Sequence, residues 1–399
     1  MTEAPSCPVT FPTARRHLFD PPGEVLQWQR QGALHRMTFA DGHLGWLLTG
    51  HSAARAVLAD NRFSNRTELT HPPVAHPLAR QENRQPLPGF FLRLDQPEHT
   101  RFRRLLTGQF TVRRMRQLEP RIEEITSDRL DAMERGDRPA DLVQAFALPI
   151  PSLVICELLG VPYGDREQFQ RDSAALLNLE SSAEQMGAAL VDLMAYMRDL
   201  VLRKRAEPAD DLLGGLVAGG ELDDEELTGV ALLLLIAGHE TTANMLALGT
   251  FALLRDPAQL ALLRDDPAVA ESAVEELLRY LTIIHMGPVR TALEDVELDG
   301  HLIRAGESVA FSLPAANRDP ERFENPDTLD VTRPATGHLS FGHGIHQCLG
   351  QQLARAEMRI AYPALLRRFP GLRLAVPPEE VPMRSHMTIY GVHRLPVTW

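Results

Sequence analysis

The chain has 399 residues, 41 basic and 53 acidic, for a formal net charge of -12, and 44% of them are hydrophobic. That length permits one domain or two, and the acidic balance argues against a nucleic-acid surface as the main purpose. Cys7, Cys156 and Cys348 are an odd, widely spaced set, which argues against a disulfide framework and fits a reducing cytoplasm.

The N-terminus, MTEAPSCPVTFPTARRHLFD, holds no apolar signal core, and the apolar run GVALLLLIAG at 229 to 238 is too short to span a bilayer. A soluble intracellular protein without a membrane anchor is expected. Residues 35 to 50 and 296 to 311 each place apolar runs around an Asp-Gly pair and read as β-hairpins. Between them, helical patterns cover 51–60, 97–108, 113–135, 140–160, 165–178, 183–205, 223–255, 257–264 and 267–282. Residues 64 to 92 carry five prolines and neither period, so they read as a long loop, either a lid or a tolerated insertion. No internal repeat, low-complexity tract or decisive boundary divides the chain, whose class is mainly α with minor β.

The segment 223 to 255 is about thirty residues, roughly 45 Å as a helix, enough to cross a domain of this size. Its acidic start, DDEEL, suits the positive end of the helix dipole, and LTGVALLLLI is apolar on all sides, as a central helix must be. AGHETT then breaks local propensity in the middle of this helix. Such a break marks either a polar stripe, a hydroxyl bonded back to its own helix, or a functional site.

Near the C-terminus stands HLSFGHGIHQCLGQQLAR, residues 338 to 355. His338, His343, His346 and Cys348 lack the paired spacing of a structural zinc site, and no second cysteine is near. An inert buried thiol is the plain alternative. Gly342, Gly344 and Gly350 around Cys348 instead let backbone approach a flat or bulky group. The helix that follows points its positive end at the sulfur, an environment that favours a thiolate.

Here the sequence resembles the cytochrome P450 haem-thiolate monooxygenases. Their signature F-x-x-G-x-[HR]-x-C-x-G is matched by Phe341, Gly344, His346, Cys348 and Gly350. AGHETT resembles the oxygen-activating segment of the family's central helix, EELLR its E-x-x-R helix, and LDQPEHTRFRRLL the helix that grips the haem, so the likeness runs along nearly the whole chain. The details are most similar to soluble bacterial members, especially those of actinomycete secondary metabolism.

The resemblance implies a single catalytic domain over residues 1 to 399, with a long central helix over the haem and small β-sheets. It implies haem b (iron protoporphyrin IX) with Cys348 as axial ligand, a thiolate that favours O–O cleavage. His99 and Arg103, spaced i and i+4 on one helix face, are then propionate partners together with Arg290 and His346. Thr241 is the hydrogen-bond donor for oxygen activation, Glu240 relays protons, and Ala237 and Gly238 leave room for oxygen in a loosened helix. Glu276 and Arg279 are a structural ion pair. The arginine that usually joins them is replaced by Thr328, leaving Arg322 or Arg333 as its substitute.

The resemblance further implies that Phe90, Leu176, Leu234, Ile283, Ile284, Met387 and Thr388, which stand where the family builds its pocket, line it here. That lining suits an apolar or amphipathic small molecule such as a polyketide macrolide or terpenoid, hydroxylated or epoxidised. A peroxide-driven or non-oxidative haem-thiolate enzyme, a promiscuous xenobiotic hydroxylase and a haem carrier without turnover remain the alternatives. No flavin or iron-sulfur segment is recognised, so electrons are expected from a ferredoxin and its reductase, docking on a basic patch of Arg101, Arg104, Arg355 and Arg359.

Overall fold

The computed structural model describes residues 9 to 75 and 87 to 399; Cys7 and residues 76 to 86 of the expected loop lie outside the described residues. The chain opens with β1 (Val9–Thr10), α1 (Gly23–Gln29), β2 (Leu34–Thr38), β3 (Leu44–Leu48), α2 (His51–Ala59) and β4 (Phe63–Ser64). Next come α3 (Glu98–Thr107), α4 (Val112–Arg135), β5 (Ala140–Asp141), α5 (Pro149–Leu159), α6 (Arg166–Leu177), α7 (Ala183–Ala206) and α8 (Leu212–Gly219). The central helix α9 (Asp224–Arg255) is followed by α10 (Pro257–Asp265) and α11 (Ala270–Leu281). The last third holds β6 (Val289–Ala292), β7 (Val296–Leu298), β8 (His301–Ile303), β9 (Ser308–Phe311), α12 (Leu313–Ala316), α13 (Gln351–Arg368), β10 (Arg373–Leu374) and β11 (Pro396–Thr398). Helices dominate and the sheets are small, as expected.

Helix α9 starts where its sequence says it should. Asp223 accepts from the Glu226 N–H, and Glu226 answers with a bond from the Asp223 N–H. This reciprocal box satisfies two otherwise orphaned groups, and three acidic residues complement the dipole. Its apolar body is enclosed by α5, α7 and α13. Among the described residues it is the one helix long and apolar enough to cross a membrane, and 78% of its most apolar window is buried inside the protein. Helix α13 runs beside α4 and parallel to it, since Arg359 meets Glu119 and Arg368 meets Asp131 and Glu134. The two helices therefore begin at the same end of the molecule.

Three expectations change in detail. Only the first half of 296 to 311 is a hairpin: β7 and β8 turn through Asp299 and Gly300, both at positive φ. Strand β9 leaves it to pair parallel with β3 and antiparallel with β6, inside a sheet ordered β1-β2-β3-β9-β6-β4. The expected helix at 140 begins instead as β5, paired with β11, because Asp141 Oδ1 accepts the N–H groups of both Val143 and Leu395. A single wide turn, Val143–Ala147, then leads into α5. Helices α1 and α8 are too short to show a clear helical period in the sequence.

Candidate active site

Cys348 lies on the loop before α13, and its own N–H bonds the Phe341 carbonyl at 2.8 Å. Phe341 is pinned from outside: the Arg355 guanidinium lies 4.5 Å from its ring centroid and the His338 ring 5.9 Å away. Both pinning groups share Glu275. Burial opposes ionisation of that carboxyl, but the bonds from His338 and Arg355 outweigh it and bring Glu275 down to about 2. The cysteine loop is thus braced by α11 before any ligand is considered.

The glycines serve different ends. Gly344, at φ +74°, backs onto α2 so closely that a Cβ would stand 2.3 Å from the Leu58 carbonyl oxygen. It is needed for protein packing, contrary to the expectation that it opens space for a flat group. Gly342 needs its φ of +68°, while both it and Gly350 have open space where a side chain would project. The sulfur also departs from expectation. Cys348 keeps accessible surface, yet burial pushes its thiol up, with the Gly350 N–H, Arg103 and Arg355 pulling the other way.

Mid-way along α9, where nearly every neighbour is buried, Ala237 is exposed and Ile236, Gly238 and Thr241 are only half-buried. A central helix with a bare patch lines a cavity, and Ala237 and Thr241 are one turn apart on that face. Two expectations fail here. The helix runs unbroken through Gly238, where the room for a side chain is taken by Ile155 of α5, 2.7 Å from where a Cβ would stand. Of the two positions, Ala237 is the more exposed. Glu240 and Thr241 turn to different partners: Thr241 Oγ1 donates to the Ala237 carbonyl at 2.8 Å, while Glu240 Oε2 accepts from Arg384 at 3.0 Å.

A cluster of two arginines and two histidines lies beside the cysteine loop. The His99 and His346 rings stand 4.1 Å apart, Arg103 follows His99 by one turn of α3, and Arg290 reaches in from β6. Burial, then repulsion from Arg103, lowers His99 to about 4, and burial with Arg290, His99 and Arg103 lowers His346 further. Burial and Arg93 bring Arg290 to about 10. Nearby, Asp95 is occupied by Ser64 and the Asn65 N–H. His99 Nδ1 is buried without a partner among the described residues. Arg103, Arg290 and the two rings form a set of donors that two carboxylates on a flat group would satisfy. The residues present fit a haem with its propionates here.

Glu276 and Arg279 are both 0% exposed and joined by two bonds, at 2.7 and 2.8 Å. The open question of the third member is answered by Arg333, whose Nε lies 3.2 Å from Glu276 Oε1, whereas Arg322 bonds the Thr336 carbonyl. Among the pocket residues, Phe90, Leu176, Ile284 and Thr388 are half-buried and retain surface for a ligand. Leu234, Ile283 and Met387 are 7%, 6% and 3% exposed and belong mainly to the core.

The expected basic patch is not free. Arg101 pairs with Glu226, Arg104 with Glu221, Arg355 with Glu275 and Arg359 with Glu119. Exposed Arg113, Arg114 and Arg116 at the start of α4 have no carboxylate partner among the described residues. Sequence reasoning also missed Arg93, near the cation cluster, and Arg384. A cation in the loop leading to His99 was a usable signal for the first. The second gave none, since its partner lies 144 positions away.

A long buried helix with one bare patch, a braced cysteine before a second helix and paired arginines and histidines beside it define a haem-thiolate protein. The cytochrome P450 family model matches residues 202–397. Cytochrome P450 105C1 from a Streptomyces species is 54% identical over 100% of both chains. The crystal structure of CYP105P1 in complex with filipin I superposes with a TM-score of 0.91 at 45% identity, covering 98% of this chain and 99% of that one. MycCI from Micromonospora griseorubida, a mycinamicin VIII methyl hydroxylase solved with mycinamicin VIII, gives 0.91 at 38% identity, covering 98% and 100%. The chain belongs to the cytochrome P450 family. It is a bacterial, actinomycete-type monooxygenase, and the family's cofactor is haem b.

Proposed function

We propose that this enzyme, as one catalytic unit, hydroxylates or epoxidises an apolar or amphipathic secondary metabolite of macrolide type, with electrons from a small acidic ferredoxin and its reductase. The observation that carries the reading is the bare patch at Ala237 and Thr241 on an otherwise buried helix, in a chain that also holds a braced Cys348. The half-buried apolar surface of Phe90, Leu176 and Ile284, and the filipin I and mycinamicin VIII named with the two solved relatives, support the substrate class.

In this reading Cys348 would hold the haem through its sulfur, and His99, Arg103, Arg290 and His346 would hold its propionates. The haem, when bound, supplies dioxygen activation with two electrons and two protons. Thr241 Oγ1, now bonded to Ala237, turns to donate a hydrogen bond into the cavity, and Glu240 resupplies the proton from the neighbouring face of the helix. Phe90, Leu176, Ile284 and Thr388 hold the substrate and exclude water.

The test is turnover of a macrolide panel under isotopically heavy dioxygen with ferredoxin and reductase. One labelled oxygen atom in the product is expected. Product without label would overturn the reading in favour of a peroxide-driven or non-oxidative enzyme. Thr241→Ala should keep substrate affinity while diverting electrons to hydrogen peroxide or water, and unchanged coupling would remove Thr241 from proton delivery. Cys348→Ala should abolish the red-shifted Soret band of the reduced, carbon-monoxide-bound protein, and Cys156→Ala should keep it.

A further inference from the structure

Strand β4 stops one residue before it would meet Arg290. Its register with β6 sets Phe63 opposite Ala292 and Ser64 opposite Thr291, so the next pair in line is Asn65 and Arg290. Side chains that face each other across an antiparallel pair come within reach, and these two bond: Arg290 Nη1 donates to Asn65 Oδ1 at 2.6 Å. Both residues are buried, Asn65 at 2% exposure and Arg290 at 4%. Among the described residues the other acceptor of this guanidinium is the Val289 carbonyl, and no carboxylate bonds it.

Asn65 is itself held by the loop that leads into α3. Its Nδ2 donates to the Leu92 carbonyl, and its N–H to Asp95 Oδ1 at 2.8 Å. The Asp95 carbonyl in turn accepts the His99 N–H at 2.8 Å. Asn65 thus ties together Arg290 from β6 and the start of the helix that carries His99, although it belongs to neither element. Its N–H also helps to keep a competing charge away. Asp95 is near enough to raise the pKa of Arg290, but its oxygens take the Ser64 hydroxyl and the Asn65 N–H. What Arg290 receives instead is an amide oxygen, which accepts a hydrogen bond without cancelling the charge.

We propose that Asn65 is a positioning residue for the haem: its amide oxygen fixes the Arg290 guanidinium in place for the propionates while leaving them its full positive charge. The inference rests on the reading of this cluster as the propionate site, and it separates two things that Arg290 supplies, its place and its charge. A carboxylate at position 65 would accept the same bond and keep the place, but it would remove the charge. Beside a guanidinium such a carboxylate stays ionised. The added negative charge favours the ferric over the ferrous haem, since net charge around the iron is one of the levers on its potential.

The test compares Asn65→Ala, Asn65→Asp, Arg290→Gln and the double variant Asn65→Ala with Arg290→Gln, all as haem-loaded proteins. Two quantities are read: the rate of haem release to excess apomyoglobin, and the midpoint potential by spectroelectrochemical titration. Asn65→Ala should speed release on the order of tenfold, the usual cost of losing a partner that orients a cofactor ligand. The double variant should release haem no faster than Arg290→Gln alone, because Asn65 acts through Arg290. Asn65→Ala keeps the guanidinium's charge and should hold the midpoint potential. Asn65→Asp should instead shift the reduction equilibrium about tenfold toward the ferric form, which is about 59 mV for one electron. Release factors that multiply in the double variant would overturn the proposal and leave Asn65 a packing residue at the end of β4. Equal potentials in Asn65→Ala and Asn65→Asp would overturn it as well. Haem retained by Arg290→Gln as by wild type would sink both this inference and the placing of the propionates. Neither measurement uses substrate or dioxygen, so both are independent of the labelled-oxygen test.

Discussion

Glu357 offers the sharpest test of the packing behind the cysteine loop. It lies on α13, is 1% exposed, and its Oε2 has no partner among the described residues. Burial alone holds its carboxyl well above the ordinary value. An unfolded glutamate titrates near about 4.3. Between that pH and the raised folded value, the native state keeps a proton that the unfolded state has lost, so stability falls as pH rises, by about 1.4 kcal/mol per pH unit. Below the unfolded value the penalty vanishes. Glu357→Gln preserves the shape of a protonated carboxyl and has no proton to lose. The stability of the variant relative to wild type should therefore be constant in acid and climb by about 1.4 kcal/mol per unit above pH of about 4.3, levelling off at the folded pKa. Burying the amide shifts this line as a whole, by about 1–3 kcal/mol, without changing its slope. Urea unfolding of both proteins over a series of pH values measures the difference directly. Parallel curves at every pH would show that Glu357 finds a partner or water in solution, and would refute the reasoning.

Arg279→Met should cost about 3–5 kcal/mol in the same assay, because it strands Glu276 as a buried charge. Arg333→Met should cost only about 1.5 kcal/mol, since the inner pair survives, and equal losses would contradict the assigned order of the triad. Charge reversal at Arg113, Arg114 and Arg116 should slow first-electron transfer from an acidic ferredoxin at low salt and converge with wild type at high salt, where screening acts over about 8 Å or less. Arg104→Glu, whose charge is already matched by Glu221, should have a smaller effect. Stopped-flow rates that do not respond to salt or to the three reversals would remove that face from docking.

The parts of this molecule that are legible in its sequence are those whose cause is local. The capping box at Asp223 and Glu226, the positive-φ turn at Asp299 and Gly300, and the all-round apolar body of α9 each announce themselves within a few residues. So does the pairing of Glu276 with Arg279, three positions apart on one helix. The start of α5 is hidden because its competitor is remote: β11 claims Ala140 as a sheet partner, and no feature of 140 to 147 records that. Gly238 shows the same limit. A glycine in the middle of AGHETT suggests a gap for a small ligand, but the gap is filled by Ile155, a residue whose approach depends on the crossing of α5 and α9.

Charge is the least legible property of the candidate site, and for a physical reason. A sequence gives the sign of each side chain but not its neighbour, and the field outside the protein depends on the pairing. Arg101, Arg104, Arg355 and Arg359 all lie on helices flanking the cysteine loop, yet their partners Glu226, Glu221, Glu275 and Glu119 come from α9, the turn before it, α11 and α4. Each pair is nearly neutral beyond a Debye length. What projects is the charge left over, and that belongs to Arg113, Arg114 and Arg116, on a stretch of α4 with no acidic residue before Glu119. Because α4 and α13 run parallel from the same end, and packed helices lie about 8–10 Å apart, this unpaired charge sits beside the start of α13 and the cysteine loop that leads into it. The cationic face is thus close to where the sequence placed it, but it is carried by different residues, and only the fold could say which arginines remained free.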